Sequence, residues 1–156
     1  MKSADMIAKI DELIKGPVYH IDIFPCTVQP KYDNRCVEVE NFFQHNRKEI
    51  DKKFVNILLK LYCYYDFCVS AWVSKHEVFE NPDLDQLISL IEHCFEGEWE
   101  ARDYINIVLP ECNSMIILNG DDLYMGVYHP NESLKNLILE LAQSEGLFFH
   151  KISADG

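Results

Sequence analysis

Two spacings of hydrophobic residues alternate along the chain. Met6, Ile7, Ile10, Leu13 and Ile14 recur at helical spacing behind Ser3, a capping residue, so a first helix is predicted from Ser3 to about Lys15, stopped by Gly16-Pro17. "VYHIDIF" then changes to period two. As a strand it places Tyr19, Ile21 and Ile23 on one face and Val18, His20, Asp22 and Phe24 on the other, with Pro25 ending it. The turn-rich "PCTVQPKYDNR" reads as a surface loop and "CVEVE" as a short extended segment.

From Asn41 to Tyr65 the spacing returns to helical, with a break near "HNR" and a stripe of Ile50, Phe54, Ile57, Leu58, Leu61 and Tyr65. Asp66 separates that helix from "FCVSAWV", which is rich in strand formers. Asn81 as cap, Pro82 at the first helical position and Asp83 and Asp85 in the first turn predict a helix reaching Phe95, buried through Leu84, Leu87, Ile88, Ile91 and Phe95. "YINIVLP" reads as a strand. "SMIILNGDDLYMGVY" reads as a hairpin, turned by Asn119-Gly120 in the positive-φ conformation a tight turn needs. A last helix from about Asn131 to Glu145, with Leu134, Leu137, Ile138 and Leu141 in register, ends at Gly146, and "LFFHKI" closes as a strand.

This order has no regular βαβ alternation and no Gly-rich phosphate loop. It predicts an α+β fold: a mostly antiparallel sheet packed on one side by helices, in a single compact domain spanning residues 1–156. A chain of 156 residues is long enough to bury its own core without staples. No apolar run is long enough to cross a bilayer, and the opening "MKSADMIAKIDELIKG" carries acids where a signal peptide is apolar, so a cytoplasmic location without membrane attachment is expected. The six cysteines, at 26, 36, 63, 68, 94 and 112, are then expected as reduced thiols.

Charge narrows the partners. The net charge of −12 is lopsided: residues 1–75 hold 11 Lys/Arg against 10 Asp/Glu, whereas residues 76–156 hold 3 against 16. An acidic half of this kind repels nucleic-acid phosphates and favours a basic protein partner, a cation, or plain solubility.

Candidate chemistry is sparse. "KLYCYYDFCVSAW" crowds Cys63 and Cys68 among aromatic residues, but the chain has no C-x2-C pair, and both thiols are expected in the core as small hydrophobes. His93 and Cys94 are neighbours on a helix and point about 100° apart, too far for a thiolate and its base. Asn119, Asp121, Asp122 and His129 lack the spacing of a calcium loop, and Glu38 and Glu40 would share one solvated face if extended. No metal site, no cofactor and no catalytic residue is predicted. The one constellation with functional promise is "FEGEWEARDY", in which Glu96, Glu98, Glu100 and Asp103 surround Trp99 as an aromatic anchor inside an acidic rim.

Through "GPVYHIDIFP", "NILLKLYCYYDF" and "LNGDDLYMGVYHP" the chain resembles small acidic cytosolic proteins of bacteria that carry no assigned activity. In size, acidity and lack of catalytic motifs it is similar in type to immunity proteins that plug toxin enzymes. The expected function is a non-enzymatic binding protein whose acidic C-terminal half docks a basic partner, as an inhibitor would. The alternative is an enzyme or small-ligand binder using a pocket between sheet and helices, where Tyr, His and Cys side chains converge.

Overall fold

The computed structural model describes residues 1–29, 35–72, 74–96 and 104–153. Its elements are α1 (Ser3–Leu13), β1 (Val18–Asp22), α2 (Arg35–His45), α3 (Arg47–Tyr62), β2 (Cys68–Trp72), β3 (His76–Glu80), α4 (Leu84–Glu96), β4 (Tyr104–Leu109), β5 (Ser114–Asn119), β6 (Tyr124–Tyr128), α5 (Glu132–Ser144) and β7 (Phe148–Lys151). The seven strands form one sheet in the order β3-β2-β4-β5-β6-β1-β7, and every neighbouring pair is antiparallel. The α+β architecture is as the hydrophobic pattern predicts.

Both sheet faces are used. On one, Val69, Ile107, Ile116, Val127 and Ile21 pack against Phe54, Leu58, Leu87, Ile91 and Ile138 from α3, α4 and α5. On the other, Cys68, Val108 and Met115 pack against Met6 and Leu13 of α1. Period-two alternation makes this possible, since consecutive residues such as Ile107 and Val108 serve opposite layers. The expectation that the helices cover one side is thus corrected: α1 crosses to the far face, where it packs against β3 and β5. Each Leu, Ile or Phe fully buried here contributes about 1.5–3 kcal/mol of transfer free energy.

Several local expectations are corrected by partners the chain finds elsewhere. "CVEVE" is helical rather than extended and forms the start of α2, with Val37 and Val39 left exposed. The residues His76–Glu80, which the pattern left unassigned, are the edge strand β3. Asn81 does not cap α4; it lies at φ 44°, and its side chain accepts from the Phe67 amide at 3.0 Å, while Asp83 takes the cap by accepting from the Gln86 amide at 2.8 Å. The buried stripe of α4 is accordingly Leu87, Leu90, Ile91 and Cys94, with Leu84 exposed. Ser3 likewise leaves the α1 amides and bonds the His76 ring.

In "KLYCYYDFCVSAW" only one of the two cysteines is core: Cys68 is buried on β2, but Cys63, just past the end of α3, is exposed. No helix among the described residues is long and apolar enough to cross a membrane.

Candidate functional site

The predicted partner-binding residues contribute little that can be described. Glu96 is the exposed last residue of α4, and Glu98, Trp99, Glu100 and Asp103 lie outside the described residues. A different site emerges toward the β7 edge of the sheet. There β1, β6 and β7 run side by side, and the loop after β1, the helix α2 and the β5–β6 turn enclose a cleft of about 590 Å³.

Strand register builds its floor. His20 sits opposite Gly126 on one side and His150 on the other, and Asp22 sits opposite Tyr124 and Phe148. All of these point away from Ile21 and the main core, as alternation along β1 requires. The His150 Nε2 lies 3.3 Å from Asp22 Oδ2, with both side chains about 15% exposed. The His20 ring stacks on Tyr124 at 3.9 Å between centroids and meets His150 edge-on at 6.1 Å. Gly126 supplies the room: the Tyr128 side chain lies over it at the distance a Cβ would contest.

The walls come from further along the chain. Asp121 and Asp122 belong to the β5–β6 turn, and Cys36, Glu40 and Gln44 recur at helical spacing along one side of α2. Gln44 Nε2 donates to the Asp121 carbonyl at 2.8 Å, which fixes α2 against the turn. That turn is not the two-residue type predicted. Asp121 N donates to the Asn119 side chain at 3.0 Å and Asp122 N to its carbonyl at 3.2 Å, so Asn119 opens a longer turn as an Asx residue, and Gly120 does not adopt positive φ. The glycine is needed for another reason: a Cβ there would run into the Cys94 carbonyl of α4.

The electrostatics are uneven. Burial pushes the His20 pKa below its ordinary 6.5; Asp22 opposes the shift and His150 adds to it, so the neutral imidazole is favoured as an acceptor. Burial raises the Asp122 carboxyl above 3.8 even though Tyr124 donates a hydrogen bond to it. Burial and then Glu40 raise the Cys36 thiol, whose sulfur lies 3.6 Å from that carboxylate. Among the described residues no three His, Cys, Asp or Glu side chains are grouped to hold a metal ion. The arrangement can accept hydrogen bonds, stack a ring and carry negative charge.

His20, Asp22, Tyr124 and His150 were not singled out from the sequence as a group. The available signal was the polar pair His20 and Asp22 inside an otherwise apolar strand. Its partners lie more than a hundred residues away, and only the pairing of β1 with β6 and β7 joins them. No family model, no curated protein and no solved structure matches this chain, so the resemblance to small bacterial proteins transfers no fold and no site residue.

Proposed function

We propose that the protein is a small-ligand binder and that the cleft beside β1, β6 and β7 is its binding site. The observation that carries this reading is the convergence of the His150–Asp22 pair with the stacked His20–Tyr124 rings in one recess of small-molecule size. Partly burying an imidazole and a carboxylate costs free energy that an apolar sheet face would avoid, and a bound guest would make use of it. Binding is favoured over covalent catalysis at Cys36, the cleft thiol beside Glu40, because burial and that carboxylate raise its pKa, away from the reactive thiolate.

The test is a fragment library of mixed charge, followed through the ring resonances of His20, His150 and Tyr124. Saturable shifts centred on those rings, lost in His20→Phe, are expected. A library in which no member moves them selectively would remove the reading.

Docking of a basic protein is the second reading, and the exposed carboxylates Asp83, Asp85, Glu92 and Glu96 along and before α4 favour it. In sequence they run on to Glu98, Glu100 and Asp103 around Trp99. In an inhibitor-type complex of this kind association would slow as salt rises, and Trp99→Ala would speed dissociation. A partner captured equally fast at low and high salt would set that surface aside as a solubility coat.

A further inference from the structure

Resting on the cleft reading, we infer that the guest is a small organic cation, an ammonium-type head on an apolar body. Four carboxylates line the cleft, from Asp22, Glu40, Asp121 and Asp122, and no Lys or Arg is among its described lining residues. The nearby Arg47 is committed elsewhere: it donates to Asp51, to the Gln44 side chain and to the Asp122 carbonyl. An anion entering the cleft would meet like charge with no countercharge among the described lining residues, whereas a cation would offset the half-buried carboxylates of Asp22 and Asp122 and the exposed ones of Glu40 and Asp121 at the rim.

The rest of the lining points to an organic ion. Phe24 and Tyr124 offer aromatic surface and Ile23, Leu123 and Ile152 apolar surface, which a methylated or alkyl ammonium uses and a bare metal ion does not. The described acids and histidines also lack a metal-holding group of three. The burial-raised Asp122 carboxyl fits the same picture, since a cation beside it would restore its charged form.

Three probes of one shape separate charge from fit: choline, neohexanol (carbon in place of the quaternary nitrogen) and tert-butylacetate. Each is titrated into the intact protein at constant ionic strength while the His20, His150 and Tyr124 ring signals are followed. Choline is expected to bind about tenfold tighter than neohexanol, with tert-butylacetate weakest. Glu40→Gln, on the exposed side of α2 where folding is not at stake, and Asp122→Asn should each weaken choline several-fold and leave neohexanol unchanged.

If neohexanol or tert-butylacetate matches choline at the same rings, the cation assignment falls while the cleft stands as a ligand site. If none of the three gives saturable shifts, the assignment also falls, and the mixed-charge library decides the cleft itself. A lysine-bearing peptide that binds the cleft tighter than choline would overturn the free-ligand assignment in favour of a protein side chain.

Discussion

Arg47 donates from Nη2 to the main-chain carbonyl of Asp122 at 2.9 Å, joining the first residue of α3 to the β5–β6 turn. The same guanidinium bonds Asp51 Oδ1 and Oδ2 through Nε at 2.9 and 3.2 Å, bonds Gln44 through Nη1 at 2.8 Å, and lies 5.8 Å over the Phe95 ring. One side chain therefore ties α2, α3, α4 and the cleft wall together. Burial raises the Asp51 carboxyl despite this arginine, so removing Arg47 leaves a half-buried acid without its partner. Arg47→Ala should cost about 2–4 kcal/mol and Arg47→Lys, which loses the planar fork, about 1–2. Urea melts with Asp51→Asn as the second arm of a double-mutant cycle check this: Arg47→Ala should cost much less once Asp51 is neutral.

Two glycines should respond in opposite ways to asparagine. Gly146 lies at φ 72° just past α5, where an added Cβ would meet only the Lys53 Nζ at an ordinary contact distance of 3.7 Å, a position asparagine tolerates, so Gly146→Asn should cost only a few tenths of a kcal/mol. Gly120 has no positive φ, but any Cβ there meets the Cys94 carbonyl, a backbone atom that cannot swing aside. Gly120→Asn should cost about 2 kcal/mol or more through overpacking. Equal losses at the two sites would mean that the turn does not sit against α4.

Thiol reactivity reads burial directly. Cys26 and Cys63 are exposed and should react first with a disulfide reagent under native conditions. Cys36 and Cys112, part-buried, should follow more slowly, Cys36 in particular because its thiol is pushed up by burial and by Glu40. Cys68 and Cys94 should react only on unfolding. Timed alkylation with peptide mapping gives the order. A fast Cys68 would place β2 outside the core.

The pH dependence of stability should have two slopes of opposite sign. His20 has a folded pKa below 6.5, so the stability it confers is full above 6.5 and is lost as pH falls below that value toward the folded pKa. His20→Phe should flatten this slope. Asp122 has a folded pKa above 3.8, so its contribution is present below 3.8 and is lost as pH rises through the folded value. Asp122→Asn should then be at least as stable as the parent near neutral pH, with the difference shrinking in acid. Chemical denaturation across pH measures both, and a parent curve unchanged by either substitution would contradict the burial of these groups.

Leu58 of α3 is fully buried, and Leu58→Ala should cost about 2–5 kcal/mol through the cavity it leaves. A loss within error in thermal or urea melts would remove α3 from the centre of the core.

What the sequence determined by itself was the local periodicity and the caps that depend on neighbours within a few residues. The stripe of Ile50, Phe54, Ile57, Leu58 and Leu61, the alternation of Tyr19 and Ile21 against His20 and Asp22, and the start of the last helix near Asn131 follow from near spacing; the structure adds that Asn131 caps α5 by accepting from the Leu134 amide at 2.9 Å, a partner only three residues away. Tertiary structure decided whatever needed a distant partner. Ser3 and Asn81 were drawn from helix capping to His76 and Phe67, "CVEVE" became part of α2, which Gln44 holds against the β5–β6 turn, and Gly120 was required by the approach of α4 rather than by turn geometry. The cleft belongs to the same class. Its floor joins residues 20 and 22 to 124 and 150, and no window of sequence contains that pairing, because antiparallel register is set by which strands bury Ile21, Val127 and Met125 together on the opposite face.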